Sequence, residues 1–153
     1  MTDWFLAADT PLRLSHAVAA ILVVDRAGYL LQLRDNKPEI FFPGHWGLFG
    51  GAIDPGETAE AALARELDEE LGLKGFAASR FAEITFDVAS VGRGAISRVY
   101  FEIALAAGDL AGLTLREGEA MRVFPFAEAL TMPRLKPYDG FGLWLHHSRA
   151  RLS

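Results

Sequence analysis

The stretch that most limits what this chain can fold into is GAIDPGETAEAALARELDEELGL, from Gly51 to Leu73. Asp54-Pro55-Gly56 is turn chemistry and Thr58 is an N-cap residue. Ala59 to Leu71 is an unbroken run of good helix formers, and Gly72 suits the left-handed conformation that ends a helix. On the predicted helix Glu66, Glu69 and Glu70 stand at i, i+3 and i+4, so the three carboxylates share one face. Leu63, Leu67 and Leu71 form the stripe that anchors the helix on a core. The small residues Ala59 and Ala62 beside the acids suggest room for a bulky ligand. Like charges at this spacing repel by a few tenths of a kcal/mol per pair unless something positive lies between them. A hard divalent cation such as Mg²⁺ fits that need, because it takes oxygen ligands from one or two carboxylates and from substrate phosphates. Arg65 precedes Glu69 by four residues and can also reach back to Glu57.

A Glu-rich helix alone reads as a solvated charged face, but the spacing here carries more. The stretch resembles the Nudix box, G-x5-E-x7-R-E-U-x-E-E-x-G-U with U a bulky aliphatic residue. Gly51, Glu57, Arg65, Glu66, Glu69, Glu70 and Gly72 are the seven identities, and Leu67 and Leu73 fill the aliphatic sites. At roughly 7% per position, such a set coincides by chance on the order of once in 10⁸ windows.

The resemblance implies the α/β/α sandwich of the Nudix hydrolases, and an activity that cleaves a nucleoside diphosphate linked to another group by water attack on phosphorus, with Mg²⁺ or Mn²⁺ as cofactor. It implies Glu66, Glu69 and Glu70 as metal ligands, together with the backbone carbonyl of Gly50. It makes Glu57 and Arg65 a brace between loop and helix, with Gly51 and Gly72 structural. The general base varies within the family. Glu66, Glu69 or an acid of the Arg116-Glu117-Gly118-Glu119 connection are candidates, with Glu119 favoured there. The usual Leu-Pro-Gly-Gly entry to the box is here Leu48-Phe49-Gly50-Gly51. Two other readings of the fold fare worse: the isopentenyl diphosphate isomerases depend on a cysteine that this chain lacks, and nucleotide-sensing modules usually carry a degraded box and a DNA-binding domain. A MutT-like pyrophosphatase for oxidised nucleoside triphosphates is the closest alternative activity.

The remaining chain reads as α/β (α+β), a mixed sheet between helices, in one domain over 1–153 with an N-terminal arm at 1–15. Strands are expected at His16–Val24, which is apolar enough to be buried on both faces, and at Tyr29–Arg34, Trp46–Phe49, Phe76–Asp87, Ser97–Leu105 and Met121–Phe126. In Phe76–Asp87, Phe81 falls on the face of Glu83 and Thr85. A C-terminal helix is expected from Tyr138 to Arg151 with His146 and His147 on its outer face. Asp35–His45 holds two prolines and Phe41-Phe42 and reads as a loop.

A net charge of −5 excludes a general DNA, RNA or anionic-membrane binder. A small nucleotide derivative is the expected partner, held locally, with a homodimer as an open possibility. Absence of cysteine and of an apolar leader fits a cytoplasmic protein. Arg34 and Arg98 are candidate phosphate contacts, as are Lys37, Arg93 and Arg116. Phe42 and Trp46 are candidate base-stacking groups, although Trp46 and Tyr100 fit a core as well.

Overall fold

Five residues from Val18 to Leu22 have no exposed surface at all, and the strand that carries them, β1 (Leu14–Val24), is the centre of one six-stranded sheet. The computed structural model describes residues 14–153, so most of the arm expected over 1–15 lies outside the described residues. β1 begins at Leu14, two residues earlier than its apolar run, because parallel pairing with β5 (Ala95–Leu105) continues to Leu14↔Ala95. β4 (Ser79–Phe86) borders β5 antiparallel at the outer edge.

On the other side β1 meets β2 (Gly28–Leu33) only at Val23↔Tyr29 and Val24↔Gly28. The connecting turn holds Asp25 and Arg26 at φ 49° and 56°, the sense of twist that suits a hairpin. β2 then diverges to pair along its length with β6 (Ala120–Pro125) and at its end with β3 (Trp46–Gly47).

One face of the sheet receives α1 (Ala59–Leu71) through Leu63, Leu67 and Leu71, packed on Val18, Ala20, Leu22, Val99, Phe101 and Ile103. Thr58 Oγ1 accepts the Ala61 N–H at 3.1 Å, and Gly72 ends the helix at φ 64°. Ala62 is wholly buried in this core, so the space anticipated beside the acids is filled by packing. The opposite face is covered by α2 (Phe126–Thr131) and α3 (Pro137–His147), through Ala129 and Leu143 on Ala19, Ile21, Tyr29 and Tyr100. The expected α/β/α sandwich is what forms.

Three further expectations are corrected. A register shift between Arg80 and Ala82 turns Phe81 inward, onto the same core as Ala82 and Ile84 rather than the face of Glu83. His146 is buried, not outward: Tyr29 Oη donates to its Nδ1 at 2.8 Å, and its Nε2 bonds to Glu102, which Arg149 also engages. Long-range pairing to β2 and β5 outweighs the polarity of the side chain. The helix itself stops at His147, and Arg149–Arg151 form a separate 3₁₀ turn.

α3 approaches the sheet so closely that a Cβ on Gly142 would lie 2.4 Å from the Tyr100 ring. Gly→Ala inside a helix ordinarily stabilises by about 1 kcal/mol. Overpacking a rigid core costs about 1–3 kcal/mol. Gly142→Ala should therefore lower the urea midpoint, by a net loss of up to about 2 kcal/mol at unchanged m. Gly140→Ala, whose Cβ meets only the end of Leu135 at 3.2 Å, should not.

Candidate active site

The segment Leu48–Ile53 fills the edge of β1 that β2 leaves open. Ala20 N–H donates to Phe49 O, Val18 N–H to Gly51 O and Ile53 N–H to His16 O, at 2.8 to 3.0 Å. Gly50 sits at φ 134°, and a Cβ there would be 2.2 Å from Val18 O, so only glycine fits. With that carbonyl below it, the Gly50 N–H donates outward to Glu70 Oε2 at 2.9 Å. Gly51 is equally cramped: a Cβ would stand 2.6 Å from Glu66 Cδ. The two glycines thus form a floor on which two acids of α1 rest.

Arg65 binds the loop to the helix. Its Nε and Nη2 donate to the two oxygens of Glu57 at 2.9 Å each, Nη2 also donates to Ala52 O at 2.9 Å, and Nη1 donates to Glu66 Oε1 at 2.7 Å. The brace expected between Glu57 and Arg65 is therefore bidentate, the strong geometry for this pair. Hydrogen bonds from Arg65 and the Asp54 N–H hold Glu57 down to about pKa 2, and Glu57 and Glu66 in turn hold the guanidinium charged.

The three expected ligands differ in exposure. Glu70 is 4% exposed, the Glu66 side chain 14% and the Glu69 side chain 59%, with Glu69 only 3.5 Å from Arg65 at its far end. Burial pushes Glu70 up to about pKa 8 against the pull of the Gly50 N–H, and burial raises Glu66 as well. Glu117 adds negative charge to both.

Glu117 is there because backbone bonds tie its connection to the end of α1. Arg116 N–H donates to Glu70 O and Thr114 N–H to Leu71 O at 2.9 Å, while Gln32 Nε2 donates to Glu117 O at 2.7 Å. Glu119, the acid favoured from the sequence, instead accepts the Asn36 N–H at 3.1 Å. The Arg116 side chain donates to Asp68 O at 2.9 Å and so caps α1.

Among the described residues no three His, Cys, Asp or Glu side chains yet converge as a closed metal-binding set. Glu66 is turned toward Arg65, and Glu70 toward Gly50. The donor chemistry nevertheless fits a hard divalent cation: all-oxygen groups, mutually repelling, one of them buried without a counter-charge in contact.

Of the other candidates, Arg34 and Lys37 flank the same end. Arg34 lines a small cleft with Gln32 and Glu117, and exposed Lys37 pairs with Asp35 at 3.2 Å. Arg98 is buried under α3, 2.8 Å from Asp139. Trp46 packs edge-on to Phe124 at 4.8 Å, a core contact. Phe42 lies on the loop after β2 at φ 54°, against His45 and Tyr138, and Arg93 stacks over neighbouring Phe41 at 4.1 Å. The sequence reading missed Asp139 and Lys136. Asp139 is fully buried and accepts the Leu48 N–H at 2.9 Å, from 91 residues away, and only its place in the first turn of α3 hinted at a role.

The sandwich, with acidic side chains of α1 seated on a glycine turn, is that of the hydrolases of pyrophosphate bonds, as its likeness to known proteins shows. The NUDIX domain matches residues 14–143, and the chain belongs to that family. It is 44% identical over 55 residues to the nucleoside triphosphatase NudI of Salmonella arizonae, a match covering 36% of this chain and 38% of that protein. The fold superimposes on a MutT protein from Methanosarcina mazei at TM-score 0.73 and 19% identity, covering 94% of this chain and 99% of the other. It also superimposes on the NUDIX domain of Shewanella oneidensis NrtR, solved with ADP ribose, at TM-score 0.67 and 25% identity, covering 90% and 88%.

The Glu70 carboxyl sets a pH dependence for the metal-free protein. Its folded pKa of about 8 lies above the ordinary 4.5, so between these values the folded state binds more protons than the unfolded. Stability contributed by this group is complete below about pH 4.5 and is lost as pH rises toward 8. The difference in melting temperature between wild type and Glu70→Gln should therefore fall from pH 5 to pH 8 in EDTA, and fall less in Mg²⁺, which takes the proton's place.

Proposed function

We propose that the chain is a divalent-metal-dependent pyrophosphohydrolase that cleaves a nucleoside diphosphate linked to another group. The observation that supports the reading is that Glu66 and Glu70 of α1 rest on the Gly50-Gly51 floor, with Glu117 near enough for its charge to act on both. Glu70 and Glu66, with the Gly50 carbonyl, would hold the cation, and Glu69 stands at its solvent side. Mg²⁺ or Mn²⁺ bound there supplies a Lewis acid for phosphoryl oxygens and lowers the pKa of a bound water. In this reading Glu117, whose charge acts on both Glu66 and Glu70, would take the proton of the attacking water. As the new P–O bond forms, the bridging P–O bond breaks and the leaving phosphate oxygen takes up the charge. The name of the NudI relative favours one narrower version, a nucleoside triphosphate as substrate.

Purified protein assayed with Mg²⁺ against nucleoside triphosphates, nucleotide sugars, ADP-ribose and dinucleoside polyphosphates should turn over at least one of them. Activity should vanish in EDTA and in folded Glu70→Gln. Full turnover in either condition overturns the metal-dependent reading. Glu117→Gln should cut kcat about 10²-fold or more with little change in KM, the size of a lost general base. Glu119→Gln should change kcat far less, and equal losses in the two variants would remove Glu117 from the role.

A further inference from the structure

The chain that leads into the Gly50-Gly51 floor is held from the α3 side by a ladder that stops one rung short. Trp46 N–H donates to Arg134 O and Lys136 N–H to Trp46 O, each at 2.8 Å, the pattern of a parallel pair about the bridge Trp46↔Leu135. The next rung would run from the Leu48 N–H to Lys136 O. That carbonyl is taken by the first turn of α3, where it accepts the Gly140 N–H at 2.8 Å. Asp139 Oδ2 stands in for it and accepts the Leu48 N–H at 2.9 Å. Gly47 leaves room for this: a Cβ there would lie 2.6 Å from Asp139 Oδ2 and 2.9 Å from Lys136 Cδ.

Leu48 is the residue at which the chain changes partners. Gly47 is the last residue paired with β2, and Phe49 is the first bridged to β1, at Ala20. Leu48 is buried, so without Asp139 its N–H would be a donor shut away from solvent and unpaired. Keeping a carboxylate at this depth is costly unless it is compensated. Asp139 is fully buried between Arg98, whose Nη2 is 2.8 Å from Oδ1, and Lys136, whose Nζ is 3.4 Å from Oδ2, and both cations are buried with it. Three buried charged groups thus maintain one bond to one backbone N–H, and an ionised acceptor makes that bond about twice as strong as a neutral one. Two residues further on, the Gly50 N–H meets Glu70 Oε2 at 2.9 Å.

We propose that Asp139 is a positioning residue for the cation site: through the Leu48 N–H it fixes the direction in which the chain enters Gly50, and with it how the Gly50 peptide meets Glu70. This role rests on the cation site proposed above. It gives the buried charges of the α3 side a part in metal binding although none of them is a ligand. Groups that hold a ligand from behind commonly change metal affinity by about 10- to 100-fold when they are removed.

Mn²⁺, which takes the same oxygen ligands as Mg²⁺, can be titrated into the protein without substrate and its free fraction read by electron paramagnetic resonance. Two double variants isolate the bond. Arg98→Met/Asp139→Asn removes both charges and keeps an oxygen for the Leu48 N–H, whereas Arg98→Met/Asp139→Leu removes the same charges and the oxygen in a side chain of similar shape. The first should hold Mn²⁺ close to the wild-type affinity, and the second, folded, about 10- to 100-fold more weakly. A merely structural residue would lower the melting temperature and leave the metal affinity of the folded state alone. Equal Mn²⁺ affinities in the two folded variants overturn the role. Should the second fail to fold, the wild type decides: coupling is reciprocal, so saturating Mg²⁺ must slow hydrogen exchange at the Leu48 N–H relative to the Ile21 N–H of the sheet core, and an unchanged ratio overturns the role. A wild-type protein that binds no Mn²⁺ overturns the catalytic reading and this role together. Where the wild type binds it, failure of the other comparisons removes Asp139 alone and leaves the catalytic reading standing.

Discussion

The open edge of β1 is the constraint on which the site depends. A central strand buried on both faces must satisfy its backbone groups within the protein, and beyond Val23 β2 has already turned away to β6 and β3. The segment Leu48–Ile53 supplies the missing partners, and in doing so runs as a thin ridge between the two layers of helix. Its backbone is hydrogen-bonded on both sides: Gly50 N–H to Glu70 of α1, Leu48 N–H to Asp139 of α3. Two residues along one extended chain, about 7 Å apart, thus place an acidic group and a cationic group on opposite sides of the sheet edge.

That arrangement gives the edge an electrical polarity which the net charge of −5 conceals. On the α1 side Glu117 adds negative charge to both Glu66 and Glu70, and on the α3 side Arg98 and Lys136 outnumber Asp139. Neither set is neutral alone. Buried charge without a counter-ion is unfavourable, and the Lys136 charge offsets part of the rise in the proton affinity of Glu70.

Local elements of this design are legible in the sequence because their causes are local. Thr58, the leucine stripe and Gly72 define α1 to the residue, and the box spacing places Arg65 on Glu57. The apolar run of β1 announces a central strand. What escapes is whatever depends on distant pairing. His146 looks like a surface residue until Tyr29 and Glu102 are found beneath it. The bulge after Arg80 breaks a period-2 pattern that would otherwise put Phe81 outside. That Glu117 lies near the acids of α1 turns on backbone bonds from Thr114 and Arg116 to the end of that helix, which no spacing encodes. Asp139 and Lys136 sit in a stretch whose sequence shows only a helix start.

The gradient of exposure along the acidic face has a consequence for how its members divide the work. Glu70 and Glu66 are held by packing and by donors, so little conformational freedom remains to be lost when either takes a ligand. The Glu69 side chain is mostly in solvent, and ordering a glutamate side chain costs up to about 2 kcal/mol. Preorganisation would therefore favour Glu70 and Glu66 over Glu69 as ligands of the proposed cation, and burial makes the Glu70 carboxyl hold its proton to higher pH than an ordinary glutamate. Arg65 holds Glu66 at 2.7 Å but reaches Glu69 only at 3.5 Å. A cation that drew Glu66 away from Arg65 would leave the guanidinium its bonds to Glu57 and Ala52. Those bonds do not involve Glu66, so they tie the loop that follows Gly50 and Gly51 to α1 independently of it.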